Sequence, residues 1–166
     1  SGSSGPRLVV HSVATMAHAG VLAHALPGAE PRALPLLVHA EQSAGVAPDW
    51  LRRLASLAGP EASEALRLSR KQARRLENLR DAVGTPDAPA TLAYRHGAQA
   101  ACDVVLLRAA LLEAPPPPDW QQAIARGAAA EFPVRAADLM PDYTGPALGR
   151  RLAELEDAWI ASGFTL

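Results

Sequence analysis

The strongest candidates for a functional site lie in a run of basic residues between Leu66 and Arg80. Six basic residues and one acidic residue, Glu77, give this segment a charge of +5 in a chain whose formal charge is −1. The basic positions follow three- and four-residue spacing, so they share one side of a helix. Guanidinium groups in this arrangement can hold phosphates bidentately, although a solvated helix face explains the pattern equally well. The candidate phosphate-binding residues are Arg67, Arg70, Lys71, Arg74 and Arg75.

Three further places are weaker candidates for binding phosphate. Arg52 and Arg53 form a basic pair, as do Arg150 and Arg151. The Gly145-Pro146-Ala147-Leu148-Gly149 segment predicts a helix start whose exposed N–H groups could bind a phosphate. The structural interpretation is favoured there: Gly145 caps the helix and Gly149 permits close packing.

No catalytic or metal site is predicted from the motifs. The chain contains no phosphate loop, no paired-glycine nucleotide cradle, no Asp-x-Asp pair and no GxSxG elbow. Cys102 lies in an apolar helix, so we expect an inert buried thiol. The histidines form no HxxxH or HExxH pair and are expected at the surface or at helix caps. They are His11, His18, His24, His39 and His96.

Composition predicts an all-α fold. The 166 residues are 49% hydrophobic but only 4% aromatic, and alanine and leucine dominate over β-branched residues. No apolar stretch reaches the roughly 18 to 20 residues of a membrane span. A single cysteine excludes a disulfide framework and fits a reducing cytoplasm.

Turn and proline signals divide the chain. Residues 1–5 look like an expression-tag remnant, and we expect the native sequence to belong to a longer protein. A helical body is predicted over residues 6–114. The proline run 115–118 is a stiff spacer, and a smaller helical tail is predicted over residues 118–166.

Periodicity predicts the helices of both parts. In the body, the first two helices are expected over 7–16 and 21–26, a third is expected to end near Gly45, and a fourth to begin near Pro48. Further helices are expected to begin after a Ser69 N-cap, to end at Gly97, and to extend over Ala98–Glu113, the last being the most buried. The helix after Ser69 is expected to bury Ala73, Leu76 and Val83. In the tail, helices are expected over 120–130 and from Gly145. Trp50, Trp120 and Trp159 are expected to be core anchors of three helices.

Several segments occur in a characteristic order and at characteristic distances between about Val10 and Phe164. They are His18-Ala19-Gly20-Val21-Leu22-Ala23-His24-Ala25-Leu26-Pro27-Gly28, Leu66-Arg67-Leu68-Ser69, Gly145-Pro146-x-Leu148-Gly149, Leu155-Glu156-Asp157-x-Trp159-Ile160 and Phe164. In this order and at these distances they resemble the C-terminal part of bacterial CCA-adding tRNA nucleotidyltransferases, the poly(A) polymerase family.

The resemblance covers the helical body and tail that hold the tRNA and not the catalytic head or the nucleotide-selecting neck. It therefore implies a cytoplasmic RNA-binding fragment, without catalytic residues, of an enzyme that adds CCA to tRNA 3′ ends. Mg²⁺ and CTP or ATP are expected only in the missing head and neck. A poly(A) polymerase tail, or a helical protein-interaction or dimerisation module without RNA, remains an alternative. The implied RNA-binding residues are Arg67, Arg70, Lys71, Arg74, Arg75, Arg52 and Arg53.

Overall fold

The computed structural model describes residues 32–57 and 66–165, and all regular secondary structure in these two ranges is helical. The all-α prediction is thus confirmed. The two helices predicted before Pro27 lie outside the described residues. The helices are α1 (Ala33–Ala44), α2 (Trp50–Leu57), α3 (Arg70–Val83), α4 (Pro89–His96), α5 (Ala98–Leu111), α6 (Trp120–Ala129), α7 (Ala136–Leu139) and α8 (Gly145–Ala161).

Helix α5 is the central element, as its all-round apolar pattern predicts. It packs against α1, α2, α3, α4 and α6 and buries residues on every side. Its one buried charge is Asp103, which is fully inaccessible. Within the described ranges, neither α5 nor any other helix is long and apolar enough to cross a membrane.

The start of α3 is set by a capping box. The backbone N–H of Gln72 donates to Ser69 Oγ at 3.2 Å, and the Ser69 N–H donates to Gln72 Oε1 at 2.9 Å. The predicted cap is therefore confirmed. The predicted apolar stripe is only partly right. Leu76 is buried as expected, but Leu79 and Ala82 complete the buried face, while Ala73 and Val83 are half-buried at its edges.

The chain leaves the helical conformation at the proline run and returns to the bundle with α6. Ile124 of α6 belongs to the same core cluster as Leu92 of α4 and Val104 of α5. At Gly127 the helices approach so closely that a Cβ would lie 2.0 Å from the Ala90 carbonyl oxygen. The first helix after the spacer therefore shares the core of the preceding helices, and the division into body and tail stays a prediction.

An aromatic cluster attaches the last helix to α4. Trp159 is 4% exposed, and its ring lies 5.4 Å from that of Tyr94 and 4.9 Å from that of Phe164, centroid to centroid. The Tyr94 hydroxyl donates to Glu156 at 3.0 Å. Trp159 is thus the core anchor that the sequence predicts, whereas Trp50 and Trp120 are half-buried.

Candidate anion-binding site

The basic residues at the start of α3 form an exposed, self-repelling face. Because Ser69 is the N-cap, Arg70 and Lys71 occupy the first turn, and Arg74 follows Arg70 by one helical turn. All three side chains are exposed, and none makes an ion pair within residues 32–57 and 66–165. The first turn also contains no acidic residue. The positive end of the helix dipole therefore lies beside cations that no acidic side chain in the described ranges neutralises.

These cations line a groove of about 580 Å³ between α3 and the N-terminal half of α5, which we call the basic groove. Its rim is formed by Arg70, Lys71 and Arg74, with Arg75 at the inner edge. Its floor is apolar, and amide and imidazole side chains stand beside it. The floor residues are Leu79, Ala82, Ala100 and Val104, and the polar neighbours are Asn78, His96, Gln99 and Asp103.

Beneath the groove, six charged side chains join α1, α2, α3 and α5 in what we call the buried ion network. Its centre is Arg52, whose side chain is 1% exposed. Arg52 Nη1 donates to Asp103 Oδ1 at 2.8 Å, and Nη2 lies 3.2 Å from Glu41 Oε2. Nη2 also donates to the Ala47 carbonyl at 2.7 Å. The network consists of Glu41, Asp49, Arg52, Arg53, Arg75 and Asp103.

Two more arginines complete the charge balance of the network. Arg53 Nε donates to Glu41 Oε1 at 3.2 Å. Arg75 Nη2 donates to both Asp49 Oδ2 and Asp103 Oδ2 at 2.9 Å. Three guanidinium groups thus face three carboxylates, which compensates the cost of removing these charges from water.

The pKa shifts reflect this balance. Burial alone would raise the pKa of Asp49, but hydrogen bonds from the Arg52 N–H and the Arg75 guanidinium, together with both positive charges, hold it below the usual 3.8. Burial opposes the charged form of Arg52 as well, yet the hydrogen bond with Asp103 and the charge of Glu41 raise its pKa. The network therefore stabilises the charged forms of Asp49 and Arg52.

The structure separates the predicted phosphate-binding arginines into two groups. Arg70, Lys71 and Arg74 lie together on the groove, and Arg67 is exposed just before α3 with a φ of 50°. Arg52 is buried in the ion network, 1% exposed, so it lies apart from the groove cations, and its assignment to RNA binding stays a prediction. The side chain of Arg53 is only 14% exposed and pairs with Glu41. Arg75, at 37% exposure, belongs to both groups.

The other predicted phosphate site, at the start of α8, shows only structural features. Pro146 occupies the first turn of α8, as predicted, but the N-cap is Thr144. Gly145, whose φ is 57°, is the first helical residue and not the cap that the sequence predicts. A Cβ at Gly149 would meet no described residue within 4 Å, so the described part of the chain shows no close packing there. The close approach between helices that requires a glycine occurs at Gly127, where α6 meets Ala90 of α4.

The carboxylates and histidines do not fit a metal site. Glu41, Asp49 and Asp103 each bind guanidinium groups, which occupy the oxygens that a Mg²⁺ ion would need. No group of three potential ligands that could hold a metal occurs in the described ranges. His39 and His96 lie apart from one another on α1 and α4, and His11, His18 and His24 fall outside those ranges. Burial raises the pKa of the half-buried Cys102 thiol, consistent with an inert cysteine.

A second groove, of about 640 Å³, lies between α1 and the proline run and is mainly apolar. Leu36 and Ala40 of α1 face Trp120 and the prolines across it. The polar side chains His39 and Ser43 meet at its edge, 3.5 Å apart. We call it the apolar groove.

The buried ion network is the feature that sequence reasoning missed. Five of its members come from four helices, Asp49 immediately precedes α2, and Arg52 and Asp103 are 51 residues apart. The only local signals are Glu41 on the apolar face of α1 and Asp103 inside the most apolar helix. A charged residue at a core position indicates a buried partner, but the pattern does not identify it.

The fold and the site together define a helical bundle with a basic groove above a neutralised ion network. No family model matches the chain, and comparisons with curated proteins and with solved structures find no significant match.

Proposed function

We propose that the helical bundle is an RNA-binding module and that the basic groove is the surface that contacts the RNA phosphates. The observation that carries this proposal is the exposed face of Arg70, Lys71 and Arg74, which form no ion pair with any residue that the structure describes. Following the resemblance of the sequence, the RNA is tRNA, held for a cytoplasmic CCA-adding nucleotidyltransferase. The catalytic residues, Mg²⁺ and CTP or ATP belong to its head and neck.

Helix energetics support a binding role for this face. Arg70 and Arg74 form one like-charged i, i+4 pair, and Lys71 and Arg75 form another, each costing about 0.2–0.5 kcal/mol. Cations in the first turn oppose the helix dipole and cost about 0.3–1 kcal/mol each. A bound polyanion reverses both terms, because it screens the repulsion and places negative charge at the helix start. A merely solvated face gains nothing from this arrangement.

The experiment measures the affinity of the 166-residue chain for a tRNA that lacks its CCA end, at about 50 and 200 mM salt. The test variant is Arg70→Glu/Lys71→Glu/Arg74→Glu. Arg75 is left intact because it supports the ion network. The matched control, Arg32→Glu/Arg126→Glu/Arg135→Glu, changes the net charge equally at exposed positions outside the groove.

We expect the wild type and the control to bind with a steep salt dependence and the test variant to lose binding. Three lost phosphate contacts should reduce the slope of log K against log salt by about two to three. Equal binding by the test variant and the control would show that the groove is not the RNA surface. No binding by the folded wild type at low salt would overturn the RNA proposal.

Two alternatives give different results in the same assay. A poly(A) polymerase tail would bind unstructured RNA ends as tightly as folded tRNA. A protein-interaction module would bind neither, and the apolar groove beside Trp120 favours this second candidate among non-RNA functions.

A further inference from the structure

The basic groove is amphipathic, which phosphate binding alone does not require. Its rim carries Arg70, Lys71 and Arg74, but its floor is formed by apolar side chains of α3 and α5, including Leu79 and Val104. Contacts to a sugar–phosphate backbone need only donors and positive charge. A cationic rim over an apolar floor instead fits a ligand that combines an anion with a flat apolar body.

The size of the groove fits a ligand of the same kind. Its volume of about 580 Å³ falls within the roughly 300–1,000 Å³ typical of small-molecule sites. A duplex would lie across the rim and leave the floor empty, whereas one unpaired residue of a single strand can enter.

Two amide side chains stand where they could meet the edge of a base. Gln99 Nε2 donates to Asp103 Oδ1 at 3.1 Å, so the buried ion network orients this amide. Asn78 is exposed on the α3 side of the groove. Amides both donate and accept hydrogen bonds, as base edges do.

We propose that the basic groove takes one unpaired nucleotide, with its phosphate on Arg70, Lys71 and Arg74 and its base on the apolar floor beside Gln99. This inference rests on the proposed function where the nucleotide is part of an RNA chain. A free mononucleotide presents the same chemistry, and the experiment separates the two sources.

The test compares four ligands of the 166-residue chain: AMP, inorganic phosphate, a short single-stranded RNA and a blunt-ended RNA duplex. Ala100→Leu fills the floor without changing the charge. Ala128→Leu makes the same change at an exposed position of α6 and is the control. Gln99→Ala is the second variant, because Gln99 is exposed and its loss leaves the floor intact. Thermal unfolding verifies that each variant is folded.

We expect AMP to bind more tightly than phosphate. Loss of the base contact in Ala100→Leu should weaken AMP and single-stranded RNA about tenfold and leave the duplex within about twofold. Gln99→Ala should weaken AMP about threefold or more. Ala128→Leu should behave as the wild type.

Failure of this inference and failure of the proposed function give different patterns. If RNA binds through the rim cations but the folded Ala100→Leu and Gln99→Ala variants bind it normally, the nucleotide site is refuted and the RNA function stands. Equal affinity for AMP and phosphate also refutes the nucleotide site. If AMP binds and no RNA does, the groove is a mononucleotide site and the RNA function fails. If neither binds, both proposals fail.

Discussion

The buried ion network and the basic groove use the same two helices, α3 and α5, in opposite ways. In the network, three guanidinium groups meet three carboxylates within about hydrogen-bond distance. In the groove, the neighbouring cations of α3 have no acidic partner in the described ranges. Arg75 stands at the boundary, since it lines the groove and bonds to Asp49 and Asp103.

Arginines in the same bundle therefore have different roles, which depend on whether the bundle supplies their acidic partners. The charges of the network are balanced within the bundle, although Arg52 Nε has no hydrogen-bond partner among the described residues. Its arginines therefore contribute to stability and orientation. The groove cations reduce the stability of their own helix, which is why we propose an external anion as their partner. This contrast predicts opposite effects of mutation in the two regions.

Removal of Asp103 should give the largest effect. Asp103→Ala leaves Arg52 buried with only Glu41 as a charged partner and removes one partner of Arg75. Uncompensated buried charge costs about 3–5 kcal/mol, so we expect a loss of that size in the free energy of unfolding, measured by urea denaturation. Asp142→Ala, at an exposed position, is the control and should stay within about 0.5 kcal/mol of wild type. A similarly small change in Asp103→Ala would show that the network contributes nothing.

Arg75→Ala should give an intermediate loss. The Arg75 side chain is 37% exposed and bonds to two carboxylates, so its removal should cost about 1–3 kcal/mol, between the values for exposed and for buried pairs. Arg74→Ala, one residue earlier on the same helix, is the matched control and should cost less than about 0.5 kcal/mol. Equal losses of stability in the two variants would show that Arg75 does not differ from the groove cations, and there would be no boundary between network and groove. Urea denaturation of both proteins at one pH decides the point.

Acid should weaken the network through Asp49. The pKa of Asp49 is lower in the folded protein than its usual 3.8, so the folded state binds protons less readily than the unfolded state. The resulting stabilisation is fully present above that usual pKa and is lost as the pH falls through the folded-state pKa. Wild type should therefore lose more stability between neutral pH and pH values below 3.8 than Asp49→Asn does. Parallel curves of unfolding free energy against pH for the two proteins would contradict this assignment.

The parts of the fold that depend on neighbouring residues could be predicted from the sequence. Ser69 and Gln72 cap α3 by contacts within one turn, and Gly45 ends α1 with a φ of 67°. The apolar residues of α5 indicate a central helix wherever its partners lie. Each of these predictions follows from spacing along one segment.

Only one side of the candidate site could be predicted from the sequence. The cationic face of α3 follows from three- and four-residue spacing, but the opposite wall comes from α5, and no local signal predicts which helix packs there. The same limit explains Arg52. It has the local pattern of a surface residue, but it is buried because it pairs with Asp103, which lies 51 residues away in the sequence. Pairing between charges that are far apart in the sequence depends on the packed bundle, so it produces no periodic pattern in the sequence.

The smallest predicted effect has the opposite sign to the others. Arg70→Glu and Lys71→Glu place negative charge in the first turn of α3 and remove the like-charged pairs with Arg74 and Arg75. Each should therefore raise the free energy of unfolding by about 0.3–1 kcal/mol in urea denaturation at low salt.

Arg126→Glu is the matched control, because Arg126 lies in the last turn of α6, where the helix dipole favours a cation. The same substitution there should lower the stability by a similar amount. A gain in stability at residues 70 and 71, together with lost RNA binding, would show that the groove cations are kept for a ligand at the expense of the helix. A loss at those residues would mean that the face already contributes to the stability of the bundle, and the contrast between groove and network would fail.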